Sequence, residues 1–200
     1  NIYITGYYYS ASITFGATSL LNVDSAGIYP DIFIVKYDAS GNVIWAKSEG
    51  SSSGDFGESI TTDAFGNVYV IGDYYSSSII FGATTLTNAS WSSYTDVFVV
   101  KYNDSGNVIW AKGFGSTTSE ALNGITTDAS GNVYITGSYT SPSISLGATT
   151  LSNSGSYGYD MFIAKLDATA VGIEENIFTQ GIYIYPNPSK GIFTIKSSEL

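Results

Sequence analysis

Two hundred residues carry seven lysines, no arginine and seventeen acidic side chains, for a net charge of -10, a balance that repels nucleic-acid backbones and anionic lipid surfaces. Cysteine and histidine are absent, which removes disulfides, thiol nucleophiles, histidine triads and the usual zinc sites. Any catalysis must then rest on carboxylates, Lys, Tyr or Ser, and neither a metal centre nor a cofactor is expected.

The 44% apolar and 12% charged content describes a chain able to bury a core. No apolar run approaches the ~20 residues of a membrane-spanning helix. From the first residue the pattern is that of strands, and it recurs every 65 positions: GNVIW at 41–45 returns at 106–110, and GNVYV at 66–70 returns as GNVYI at 131–135. Repetition on this scale dictates architecture. FGATSL at 15–20 recurs as FGATTL at 81–86 and LGATTL at 146–151, and DIFIVK at 31–36 recurs at 96–101 and 160–165.

Within one unit, residues 59–72 place two β-branched runs around Asp63-Ala64-Phe65-Gly66. Asp opens such a turn by binding the backbone ahead of it, and Gly closes it in a left-handed conformation. The same punctuation stands at 38–41, 103–106 and 128–131. These loops offer oxygens but lack the ligand series of an EF-hand, so they read as turns. Two hairpins per unit, A with B and C with D, give a four-stranded antiparallel sheet. The runs 43–46 and 97–100 are apolar without alternation, which predicts strands buried on both faces. Sheets of this kind repeated radially are the blades of a β-propeller; a β-solenoid, whose coils are usually shorter, is the rival.

The cycle of 31–47, a Gly/Ser-rich stretch and 60–72 resembles the bacterial SBBP-type β-propeller repeats over residues 1–167. The resemblance implies a fold more than an activity. The FGATTL segments depart from it and read as an added short hairpin between strands B and C. The expected architecture is all-β, a partial β-propeller of about three blades: a partial blade at 1–47 beginning at strand B, a full blade at 48–112, and a partial blade at 113–167 lacking strand D. The chain therefore reads as a piece of a longer precursor, in which a D-type strand is expected to pair beside 161–166 and close the ring.

After a linker at 168–176 a different strand pair begins. Its motif, Tyr185-Pro186-Asn187-Pro188 followed by Gly191 and Phe193-Thr194-Ile195, forces an open turn, since both prolines fix φ. Residues 172–200 resemble the start of the C-terminal sorting domain of the Bacteroidetes type IX secretion system, placing a truncated domain at 177–200. That resemblance implies the first strands of an immunoglobulin-like sandwich, handling by the type IX machinery, and release or attachment at the outer surface.

Antiparallel connectivity puts the A–B and C–D turns at one end of each blade and the longer D–A and B–C connections at the other. The long-loop end is expected to carry Tyr7, Tyr8, Tyr9, Tyr74, Tyr75, Trp91, Tyr94, Tyr139 and the FGATTL inserts. Of these, Tyr8, Tyr74, Tyr75, Trp91, Tyr94 and Tyr139 are the candidate binding residues for a glycan or a surface protein. Trp45, Trp110, Phe33, Phe98 and Phe162 read as core, and Asp31, Asp96, Asp160, Asp63 and Asp128 as structural because they recur. Glu58 and Asp73 do not recur: their counterparts are Asn123 and Ser138. Counting from the 63–66 turn sets them nearly opposite each other, so they are the weak candidates for a catalytic acid pair of glycosidase type. The leading function is a non-catalytic, secreted or surface-held adhesion module; a structural spacer and a carboxylate hydrolase are the alternatives.

Overall fold

The computed structural model describes residues 1–90, 93–153 and 158–166, which form sixteen strands and no helix. The first sheet comprises β1 (Ile2–Tyr8), β4 (Asp31–Tyr37) and β5 (Val43–Glu49), in that order. The second orders β6 (Asp55–Thr62), β7 (Val68–Tyr74), β10 (Asp96–Tyr102) and β11 (Val108–Phe114) as β11-β10-β7-β6. The third aligns β12 (Glu120–Thr127), β13 (Val133–Tyr139) and β16 (Asp160–Leu166). All pairings are antiparallel. Three hairpins stand apart: β2 (Ser12–Phe15) with β3 (Thr18–Leu21), β8 (Ser78–Phe81) with β9 (Thr84–Thr87), and β14 (Ser143–Leu146) with β15 (Thr149–Ser152). The linker, the sandwich strands and the sorting motif expected at 168–200 lie outside the described residues.

Each long hairpin is closed by the side chain that opens its turn. Asp38 Oδ1 accepts the amides of Ser40 and Asn42, and the Asn42 side chain donates to Oδ2. Gly41 takes φ +83°, where a β-carbon is disfavoured. Asp63 repeats the arrangement in a drier place, since the Tyr69 hydroxyl donates to it at 3.0 Å and the Lys101 ammonium stands 3.9 Å away. Burial pushes its carboxyl pKa up, but the donors of Asn67, Tyr69 and Phe65 win and hold it below the usual range. Asp63→Ala is expected to cost about 2–3 kcal/mol in denaturant unfolding and Asp38→Ala clearly less, because only the former strands buried donors.

The sheets stack in sequence. β6 lies against β1 and β4 of the first sheet, and β12 against β6, β7 and β10 of the second. The A-type strands β6 and β12 are thus the contacting edges, while the outer strands carry the extra hairpins. β8 touches β5 of the preceding sheet as well as β11 of its own, and β14 touches β11. Each of these two hairpins, β8–β9 and β14–β15, is therefore a wedge at the diverging edge of two sheets. Its apolar side chains join the inter-sheet core: Ile79, Phe81 and Leu86 sit with Ile32, Ile34, Val68, Val70 and Phe98, and Ile144, Leu146 and Leu151 sit with Val97, Val99 and Phe162.

Two expectations are corrected. The FGATTL inserts do not decorate the long-loop end: a β-carbon at Gly16 or Gly82 in their tips would touch Val43 or Val108, the first residues of β5 and β11 beside the short turns. Phe15 and Phe81 pack instead on Phe33 and Phe98, with ring centroids 5.0 and 4.8 Å apart. Nor is strand D buried on both faces. Residues 97–100 of β10 are fully covered as expected, but Ile44 of β5 is 49% exposed and Ile109 of β11 42%, because these strands form the outer edges. Trp110 is buried and Trp45 half-buried, with its indole N–H donating to the Asp104 carbonyl at 3.0 Å.

Candidate functional site

At the long-loop end, the first residue of strand A in one sheet meets the first residue of strand C in the sheet before it. The Asp55 amide donates to the Pro30 carbonyl at 2.9 Å, setting Asp55 beside Asp31, and the Glu120 amide donates to Thr95 at 3.0 Å, setting Glu120 beside Asp96. All four side chains are buried. Asp55 accepts from the Ser51 amide and the Ser76 hydroxyl, and Glu120 from Ser116 and the Ser141 hydroxyl. Asp31 and Asp96 each accept one amide, from Val23 and Ala89, on Oδ2, while Oδ1 has no partner. That free oxygen lies against Gly50 in the first case and Gly115 in the second, where any β-carbon would collide with it. Burial, aided by the neighbouring Asp31 charge and opposed by Ser76 and Ser51, lifts Asp55 to about 7; burial likewise lifts Glu120 to about 7, with Asp96 contributing, and Asp96 to about 6. Asp31 and Asp96 read as structural from their recurrence, whereas the acids that meet them, Asp55 and Glu120, recur only in charge and not in residue type.

The candidate binding rings divide. Tyr8, Tyr74 and Tyr139 are 5, 0 and 2% exposed, so in this structure they pack between strands and offer no face to a ligand. The Tyr8 hydroxyl is bound to Ser48 at 2.7 Å. The strand alternation that exposes one tyrosine of a pair buries its neighbour. Tyr75 and Tyr94 are exposed, and Trp91 lies outside the described residues. Tyr75 ends a line of edge-to-face contacts that crosses from the first sheet to the second: Tyr9 to Tyr7 at 6.1 Å, Tyr7 to Phe56 at 4.9 Å, Phe56 to Tyr75 at 6.3 Å. Tyr7, Tyr9 and Tyr75 are each at least 40% exposed. Phe56 had not been singled out, because its partner position in the next unit is Ala121.

Glu58 and Asp73 are brought together. Glu58 occupies a bulge, the residue left over between the pairs Gly57 with Gly72 and Ser59 with Ile71, and Asp73 pairs with Phe56. Glu58 is exposed. Asp73 is lifted to about 7, first by burial and then by the Glu58 charge, so its carboxyl changes protonation close to neutral pH, beside another acid.

Comparison with known proteins agrees with this organisation. The model of the SBBP β-propeller repeat family matches residues 44–73, a stretch running from β5 through β6 into β7 and so straddling two sheets. The chain is 30% identical over 197 residues to a WD repeat-containing protein of Acanthamoeba polyphaga mimivirus, covering 86% of this chain and 14% of that protein. It is 26% identical over 170 residues to the regulatory protein FlaEY of Caulobacter vibrioides, covering 85% of this chain and 17% of that one. The chain spans less than a fifth of the length of either relative.

Proposed function

We propose that this chain is a non-catalytic binding module of a secreted or surface-held protein, and that a glycan lies across the Tyr9–Tyr7–Phe56–Tyr75 line. The observation that carries the reading is that row of solvent-facing rings at the boundary of two rigidly packed sheets. Aromatic faces held by a scaffold stack on sugar rings, with little ordering cost on binding. The repeat-family match and the WD-repeat relative support a module that presents a surface, and the tail motif at 185–191 supports export. A panel of soluble saccharides titrated calorimetrically against the whole chain tests this. Binding that falls at least 10-fold in Tyr7→Ala and in Tyr75→Ala is the expected result; silence across the panel favours the spacer.

A hydrolase is the second reading, favoured by one observation: the half-buried Asp73, lifted to about 7, stands beside the exposed Glu58, two carboxyls in unlike environments as in glycosidases. Release of reducing sugar that is lost in Asp73→Asn would promote it over binding alone.

A further inference from the structure

Four buried carboxylates at the sheet junctions have no role in the proposed binding face. Asp31 meets Asp55 between the first and second sheets, and Asp96 meets Glu120 between the second and third, each 3% exposed or less. The lysine–carboxylate bridges found, Lys36–Asp104 and Lys101–Asp63, stand elsewhere. The charges acting on Asp55 and Glu120 from across the junction are those of Asp31 and Asp96. Two carboxylates placed side by side out of water, each pair with one oxygen left without a donor, need either a cation between them or a proton on one of them.

The arrangement is also built twice. Asp31, Gly50, Asp55 and Ser76 recur 65 residues later as Asp96, Gly115, Glu120 and Ser141. In both copies a glycine leaves space for the orphan Oδ1, a serine hydroxyl sits on the strand-A acid, and the connection from strand D wraps the pair. We propose that each junction binds one divalent cation of the calcium class, held by Asp31 and Asp55 in the first and by Asp96 and Glu120 in the second. Hard oxygen donors of this kind, carboxylate and hydroxyl completed by main-chain carbonyls and water, are those that Ca²⁺ takes. Among the described residues no three acidic side chains converge, so each site rests on a carboxylate pair and gains its remaining ligands from the surrounding oxygens. The ion ties strand A of one sheet to strand C of the one before, and so fastens successive sheets at their long-loop end.

The test is calcium binding to the whole chain after chelator treatment, at about pH 8 where the acids are ionised. Calorimetric titration is expected to give two ions per chain, and excess Ca²⁺ to raise the melting temperature by at least about 5 °C, the shift that ligand linkage yields well above Kd. Asp55→Asn is expected to reduce the stoichiometry to one, as is Glu120→Gln separately. These near-isosteric variants are followed by circular dichroism, and terbium luminescence gives a second count on any variant that melts early. Absence of saturable binding overturns the proposal. So does a melting temperature that answers to pH but not to calcium, which would assign the missing charge to protons. Binding unaffected by either variant places the ions on surface acids and also overturns it. None of these outcomes depends on whether a glycan binds.

Discussion

With a chelator present, raising the pH from about 5 to about 8 is expected to lower the melting temperature by roughly 5 to 10 °C, the scale that a few kcal/mol produces in a chain of this size. Glu49, Asp55, Asp73 and Glu120 are lifted to about 7 and Asp96 to about 6, in every case chiefly by burial. In the unfolded chain the same groups titrate near 4. Between these values the folded state holds more protons than the unfolded state, so stability falls as pH rises. The contribution is complete below the unfolded values and lost as the pH passes through about 7. Asp24, Asp38, Asp63 and Asp128 act in the opposite sense: their hydrogen bonds lower the folded pKa, so stability is lost again as they protonate in stronger acid. A maximum near pH 5 follows. Thermal melts across this range, repeated on a chain carrying both Asp55→Asn and Glu120→Gln, check the assignment. The double variant should show a flattened alkaline limb, and a wild-type profile that rises toward pH 8 would show that these acids are not taken out of water.

The second large effect concerns two phenylalanines in equivalent places. Phe98 is fully buried and packs on Phe81 at 4.8 Å and Tyr74 at 6.5 Å, with its ring over Gly72. Phe33 makes the matching contact with Phe15 at 5.0 Å, but is only half-buried. The difference is the neighbouring sheet: Phe98 belongs to the core shared with Ile32 and Ile34 of the first sheet, whereas Phe33 stands on the face of the first sheet that no described sheet covers. Truncation of a buried Phe removes its transfer energy and leaves a cavity, so Phe98→Ala is expected to cost about 3–5 kcal/mol. Phe33→Ala should cost roughly half as much, since part of its ring already meets water. Urea unfolding of the two variants measures the stacking term directly, and equal losses would contradict it.

Much of this was legible in the sequence. The 65-residue period, the Asp-x-x-Gly turns and the continuous apolar run of β10 gave strand order and register, because turn chemistry and period-two patterning are local. What escaped depended on how sheets meet. The inserts read as short hairpins displayed at the long-loop end, from their position between strands B and C. Only Phe15 and Phe81 seated on strand C, with Gly16 and Gly82 at the start of strand D, reveal them as wedges. Outer-edge exposure of Ile44 and Ile109 likewise follows from having no neighbour on one side, which no window of sequence records. Tyr8 and Tyr74 read as exposed rings because adjacency in a Tyr-Tyr pair hides which member points inward, and Tyr139, between Ser138 and Thr140, because it ends strand B at the long-loop end. The junction acids do carry a signal: Asp55 and Glu120 are one 65-residue period apart, as are Gly50 and Gly115, and Ser76 and Ser141.

Central to the account is the stacking of sheets in which β7 is an interior strand, flanked by β6 and β10, whereas the homologous β1 is an edge bonded to β4 alone. Hydrogen exchange resolved by residue tests it most directly. Amides of Val68–Tyr74 should be protected without interruption, and those of Ile2–Tyr8 should alternate between slow and fast along the strand. Uniform protection in β1, or alternation in β7, would contradict the arrangement.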